Sequence, residues 1–231
     1  MECIVLAGGL GTRLQGVIGS YPKCMAVVNG KPFLHYVFAY LQEQNCKRVI
    51  LSLGFKHEVI TEWLQEETWP FDIDYVIEHE PLGTGGGISL ALSKAKGENV
   101  VVLNGDTMFR VDLKALADFH THQNAATTLA LKHMHNFDRY GTVKTDSEQR
   151  IESFEEKKQC DEGMINGGIY VINKTTLLAK KLPVKYSFEK DYLEAFVGEK
   201  QFYGFESEGY FIDIGIPEDY ERAQTDFKTL S

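Results

Sequence analysis

Gly8, Gly9 and Gly11, with Arg13 two residues beyond the last of them, are the residues of this sequence best suited to gripping a polyphosphate. They follow Cys3-Ile4-Val5-Leu6, an apolar run of the kind that forms a fully buried strand. Gly8, Gly9 and Gly11 leave no Cβ atoms in the way, so backbone N–H groups can approach a ligand closely, with Leu6, Ala7 and Thr12 completing the expected nucleotide-binding stretch. Arg13 adds a cation whose forked donors match phosphate oxygens. Two familiar phosphate loops do not fit. A G-x-G-x-x-G pattern finds Leu14 in its third glycine position, and no acidic residue stands about 20 positions on, between Val27 and Phe38. A G-x-x-x-x-G-K-[ST] pattern finds Gly30-Lys31 followed by Pro32.

Other residues supply charge. Val100-Val101-Val102-Leu103-Asn104-Gly105-Asp106 reads as a buried strand ending in a carboxylate, which is either a turn aspartate or a ligand for a hard cation such as magnesium. Asp213 sits inside Tyr210-Phe211-Ile212-Asp213-Ile214-Gly215, where an unpaired carboxylate is expensive, so a metal or a basic partner is expected. Lys23 follows the glycine loop in an irregular segment and is placed to neutralise phosphate charge. Pro217 opens a helix, with Glu218 and Asp219 in its first turn as compensation for the helix dipole. Glu155-Glu156-Lys157-Lys158 reads as a solvated turn on composition alone. Asn166-Gly167-Gly168 marks either a bulge or a close approach inside a strand. His120-x-His122 and His133-x-His135 lack zinc-site spacing and are expected to be surface residues.

These residues need a frame. Strand patterns at 2–7, 48–53, 73–78 and 99–103 alternate with helix patterns at 33–45, 57–67, 86–95 and 112–123. That alternation predicts an α/β fold, a mainly parallel sheet covered by helices on both faces. Ligands then bind outside the carboxyl ends of the strands, and both Gly8-Gly9 and Asn104-Gly105-Asp106 fall on that rim. Beyond residue 125 the pattern shifts to strands at 127–133, 141–145, 150–155, 164–172 and 201–206, with helices at 174–180, 188–197 and 217–228. The expectation is one domain, 1–231, whose second part (126–231) extends the sheet of the first (1–125) as a mixed sheet with its own binding surface.

Bulk properties narrow the partners. The 231 residues are 43% hydrophobic and 25% charged, and the net charge of −9 argues against nucleic acid or an anionic membrane. An anionic substrate therefore needs local lysines, arginines or a metal. No apolar run of about 18 residues is present to suggest a membrane span, and no leader pattern opens the sequence. Cys3, Cys24, Cys46 and Cys160 are scattered, which fits reduced thiols and a cytoplasmic location.

Taken in order, the motifs resemble those of the sugar-1-phosphate nucleotidyltransferases. They are the glycine loop with Thr12-Arg13-Leu14, Pro22-Lys23, Glu80-Pro81-Leu82-Gly83-Thr84-Gly85-Gly86, Asn104-Gly105-Asp106, Tyr140-Gly141-Thr142-Val143, Phe154-Glu155-Glu156-Lys157, Asn166-Gly167-Gly168-Ile169-Tyr170 and Asp213-Ile214-Gly215. Asp138-Arg139-Tyr140-Gly141-Thr142-Val143 and Ser187-Phe188-Glu189 look most like the branch that guanylylates D-glycero-D-manno-heptose 1-phosphate; the mannose-1-phosphate guanylyltransferases are the near competitor. Where the family has Pro-Lys-Pro and Glu-Lys-Pro, this chain has Pro22-Lys23-Cys24 and Glu156-Lys157-Lys158, keeping both lysines.

The resemblance implies a Rossmann-like sheet without an appended β-helix domain, and attack of a sugar-1-phosphate oxygen on the α-phosphorus of a nucleoside triphosphate. It implies Mg²⁺ held by Asp106 and Asp213, Arg13 on the departing phosphates, Lys23 on the α-phosphate and Lys157 on the sugar phosphate. Gly141, Glu156 and Asn166 would read sugar hydroxyls, the base would rest against Gly8, Gly83 and Thr84, and Pro81 would belong to the same nucleotide-binding set. Glu78, five residues before Gly83, can accept two donors, which fits the N1–H and N2–H edge of guanine and favours GTP. A non-catalytic nucleotide-sugar sensor and a metal-dependent glycosyltransferase are the other readings, and a homodimer is left open.

Overall fold

The computed structural model describes every residue except 10–13, 15, 17, 18, 20 and 229–231. The expectations for Gly11, Thr12 and Arg13 therefore lie outside the described residues.

Thirteen strands are described: β1 Glu2–Leu6, β2 Val27–Val28, β3 Lys31–Pro32, β4 Arg48–Leu53, β5 Asp72–Ile77, β6 Asn99–Asn104, β7 Thr107–Phe109, β8 Thr127–Phe137, β9 Val143–Thr145, β10 Ile151–Phe154, β11 Cys160–Asn173, β12 Phe202–Ser207 and β13 Phe211–Asp213. The α-helices are α1 Phe33–Glu43, α2 His57–Glu66, α3 Gly83–Leu92, α4 Leu113–His122, α5 Lys174–Ala179 and α6 Pro217–Asp226. Seven strands form one sheet in the order β12-β8-β11-β6-β1-β4-β5. β6, β1, β4 and β5 run parallel, β11 is antiparallel to both β6 and β8, and β12 runs parallel to β8. The mixed, mainly parallel α/β sheet is the one expected.

Alternation along the central strands explains why both faces are covered. Cys3 and Val5 of β1, Val49 and Leu51 of β4, and Val101 and Leu103 of β6 enter one buried cluster. Ile4, Ile50, Val100 and Val102, pointing the other way, enter a second. α1 closes the first cluster with Phe33, Leu34, Val37, Phe38 and Leu41, the three- and four-residue spacing of an amphipathic helix. Two helix entries carry side-chain caps: Asp112 accepts from the Ala115 N–H at 2.9 Å, and Asn173 from the Thr176 N–H at 2.9 Å.

Three elements differ from expectation in ways that matter for the site. α3 begins at Gly83, three residues before the expected start. Gly83 has φ +76°, and a Cβ there would stand 2.5 Å from the Tyr186 carbonyl oxygen, so only glycine lets the helix start against that backbone. The second is a small two-stranded sheet that sequence patterning missed. β13 pairs antiparallel with β7, placing Asp213 across from Thr107 and therefore beside Asp106. The expected helix at 188–197 is a π-helical turn, Phe188–Glu194, followed by a 3₁₀ turn at Val197–Glu199.

Candidate active site

At the carboxyl end of the parallel strands, the Gly105 N–H donates to the Leu6 carbonyl at 2.9 Å, tying the end of β6 to the end of β1. Asp106 leaves this junction, and the Ile214 N–H donates to the Asp106 carbonyl at 3.1 Å. The backbone thus fixes two carboxylates side by side. Lys23 completes the group. Its ammonium donates to Asp106 Oδ2 at 2.5 Å and to Asp213 Oδ1 at 3.2 Å. Asp213 Oδ1 also accepts from the Gly215 N–H at 2.8 Å. A Cβ at Gly215 would lie 2.9 Å from both Asp213 Oδ1 and Lys23 Nζ, so this glycine is the space in which the ion pair forms.

Lys23 is held by a 3₁₀ turn, Lys23–Met25, entered from Pro22 in extended backbone, with the Met25 N–H bonded to the Pro22 carbonyl at 2.8 Å. Burial disfavours its charge, but the facing carboxylates of Asp106 and Asp213 outweigh burial and raise its pKa. The basic partner expected for Asp213 is therefore Lys23. The adjacent Cys24 is buried, which pushes its thiol up to about 12 and leaves it protonated and inert as a nucleophile.

Two cavities meet here. The larger, about 680 Å³, is lined by Leu6, Ala7, Gly8 and Gly9 at the end of β1, and by Lys23 and Asp106. Its far wall is Glu78, Pro81, Gly83 and Thr84. Every described residue of the expected nucleotide set thus lines one space. Within it the Glu78 carboxylate is oriented by the Ser52 hydroxyl, which donates to Oε1 at 3.1 Å, and by the Leu82 N–H, which donates to Oε2 at 3.1 Å. A carboxylate has about four acceptor sites, so about two remain for an incoming ligand. Phe55, Lys56 and His57 also line this cavity and were not anticipated; the signal for them was Gly54 directly after β4, on the same rim.

The second cavity, about 440 Å³, shares Asn104 with the first and is lined by Gly141, Glu156, Lys157, Asn166 and Asp213. Asn166 sits where the register of β11 against β8 shifts, so the bulge reading of Asn166-Gly167-Gly168 is realised at the cavity wall. Its side chain is locked: Nδ2 donates to the Tyr170 hydroxyl at 2.8 Å, and Oδ1 accepts from the Gly168 N–H at 3.0 Å. Glu156 and Lys157 are exposed and have no ion-pair partner among the described residues, while their neighbours Glu155 and Lys158 pair with each other at 3.2 Å.

Two lining residues were not singled out as site residues. Arg139 stacks over the Tyr140 ring with its guanidinium 5.4 Å from the centroid and is paired with Asp219. Asp219, expected only to offset a helix dipole, is therefore the anchor of a cation in this cavity. Glu189 accepts from the Thr84 hydroxyl at 2.8 Å, and that hydroxyl accepts from the Phe188 N–H at 2.9 Å. Thr84 faces the first cavity and Glu189 the second, so this bond is a shared wall.

The histidine expectation needs correction. His120 is buried, not on the surface, and its ring nitrogens lie 2.9 Å from the Thr128 hydroxyl and 3.3 Å from Asn99 Oδ1. Burial pulls its pKa down to about 4. Thr128 and Asn99 come from neighbouring elements, which local patterning could not reveal.

Among the described residues no helix is long and apolar enough to cross a membrane. The profile of the nucleotidyl transferase family matches residues 2–229. The chain is 50% identical over 228 residues to the D-glycero-alpha-D-manno-heptose 1-phosphate guanylyltransferase of Aneurinibacillus thermoaerophilus, covering 99% of each chain. It is 46% identical over 220 residues to the enzyme of the same name from Campylobacter jejuni, covering 95% of this chain and 97% of that one. HddC from Yersinia pseudotuberculosis, solved in complex with GMP-PN, superposes with a TM-score of 0.86 at 36% identity, covering 98% of this chain and 99% of that chain.

Proposed function

This chain belongs to the nucleotidyl transferase family, and on that premise we propose that it transfers GMP from GTP to D-glycero-α-D-manno-heptose 1-phosphate, giving GDP-heptose for surface-polysaccharide biosynthesis and releasing pyrophosphate. The observation that carries the reading is the Lys23–Asp106–Asp213 cluster at the meeting point of two cavities. Two anions must be brought together, and neither requires a protein nucleophile. Catalysis is then mostly positioning and charge neutralisation.

In this reading the larger cavity takes GTP, with guanine's N1–H and N2–H on the free acceptor sites of Glu78. Gly8, Gly9, Pro81, Gly83 and Thr84 surround the base and sugar, and Arg13 holds the β- and γ-phosphates. The smaller cavity takes the heptose phosphate, with Lys157 on its phosphate and Gly141, Glu156 and Asn166 on its hydroxyls. Lys23 turns from the two carboxylates towards the α-phosphate. Asp106 and Asp213 are oxygen donors already crowded around one cation, which fits a hard divalent ion such as Mg²⁺. That ion, when bound, neutralises charge on the phosphate oxygens.

Purified protein given GTP and a panel of sugar 1-phosphates should release pyrophosphate fastest with the manno-heptose. Equal or faster turnover of mannose 1-phosphate would replace the proposed sugar, and comparable use of UTP or dTTP would remove the case for guanine. Pyrophosphate from no pairing would leave the sensor reading in its place.

A further inference from the structure

β8 and β11 continue outward past Asn166 as a two-stranded ribbon, and that ribbon carries a group the transfer chemistry does not use. Asn166 pairs with Leu131, Met164 with His133, and Glu162 with His135. His133 and His135 are two apart on one strand and therefore share a face, and Glu162 lies directly opposite one and diagonal to the other. The His133 Nε2 atom lies 2.8 Å from Glu162 Oε1, and the two imidazole rings meet edge to face with centroids 4.6 Å apart. One donor atom from each of the three residues falls within 4.8 Å of the others.

We propose that His133, His135 and Glu162 bind a divalent transition-metal ion of the zinc class, as a site separate from the catalytic carboxylates. Two imidazoles and one carboxylate are ligands that zinc takes readily, whereas magnesium prefers oxygen alone. Zinc bonds of about 2.0 Å in a tetrahedron put ligand atoms roughly 3.3 Å apart, a closure these partly exposed side chains reach by rotation. The local charge favours a cation. Glu208 stands within electrostatic reach of both histidines, and Lys132, the neighbouring base, is neutralised by it at 3.0 Å. With neutral imidazoles, Glu162 and Glu208 against Lys132 leave one net negative charge. Three protein ligands leave a fourth position for water, and the bound ion clips β8 to β11 on the strand pair that holds Asn166.

The test is zinc titration of the full chain without a histidine tag, followed by calorimetry, with cobalt(II) as an optical probe of coordination. One zinc should bind saturably, with excess magnesium failing to displace it, and the thermal midpoint should rise. His133→Ala and His135→Ala should each weaken binding about tenfold or more, Glu162→Gln should do likewise, and each should shrink the thermal shift at a given zinc concentration. His135→Gln, at an exposed position, serves as the variant least able to disturb folding, checked by its metal-free melting. Asp106→Asn should leave this binding intact. The proposal is overturned by the absence of saturable binding, by unchanged affinity in the histidine variants, or by zinc uptake that disappears only in Asp106→Asn.

Discussion

The two cavities are built from different materials. The larger sits at the ends of parallel strands anchored at the centre of the sheet, with glycines along its walls among charged side chains such as Lys23, Lys56, Glu78 and Asp106. The smaller is made of charged and polar side chains, Arg139, Glu156, Lys157, Asn166 and Glu189, carried by antiparallel ribbons and by connecting segments. Backbone donors grip phosphates in much the same way whatever the base, while side chains at the end of a ribbon can be exchanged singly. On the proposed function, the difference teaches where specificity can change without disturbing the fold: sugar choice would belong to the second cavity, and nucleotide binding to the first.

The largest expected effect erases the distinction. Asp106→Ala strips the junction of one of its two carboxylates, and turnover should fall on the order of a hundredfold or more at unchanged secondary structure. Near-normal pyrophosphate release by that variant would sink the metal assignment and with it the shared centre.

An effect of similar size acts on both cavities at once through the sheet. His120 has a folded pKa of about 4 against an ordinary value near 6.5, so the unfolded chain binds the extra proton in that window. Its stabilising contribution is complete above about pH 6.5 and is lost as pH falls towards 4, up to about 3 kcal/mol. Denaturant melts of the wild type and His120→Asn across this range should converge at the acid end, and a parallel pair of curves would refute the assignment.

The remaining tests separate the cavities. Glu78→Gln replaces one acceptor by a donor at the guanine edge and should lower kcat/KM for GTP about tenfold while leaving the KM for sugar phosphate alone. Arg139→Ala should do the opposite, raising the sugar-phosphate KM several-fold with the GTP KM unmoved. If both variants shift both constants, the cavities do not divide the substrates as described.

Much of the first cavity was legible because its signals are local. Cys3-Ile4-Val5-Leu6 running into glycines, and Val100 running to Asp106, each encode a strand and its terminal ligand-facing residues within one short span. The smaller cavity depends on pairings between distant segments. Asp213 was recognisable as a costly carboxylate, yet its position beside Asp106 comes from β7 and β13, strands of three residues each with too little length for a periodic signal. Arg139 is visible in the sequence only as one member of a motif, and its anchor comes from α6, which brings Asp219 against it. Gly83 shows a related limit, because the helix pattern begins only at 86, while the Tyr186 carbonyl that requires a glycine at the true start comes from a distant segment.

Lys23 bears on how the resting protein keeps itself assembled. With its ammonium between two carboxylates, the centre carries one net negative charge where the carboxylates alone would carry two. If the two carboxylates hold the proposed divalent ion, a lone ion would have to evict this tethered counter-ion, whereas a nucleotide arriving with its cation would offer the lysine a phosphate to move to. On the proposed mechanism the tether would then disfavour bare metal and favour the metal–nucleotide complex as the first guest.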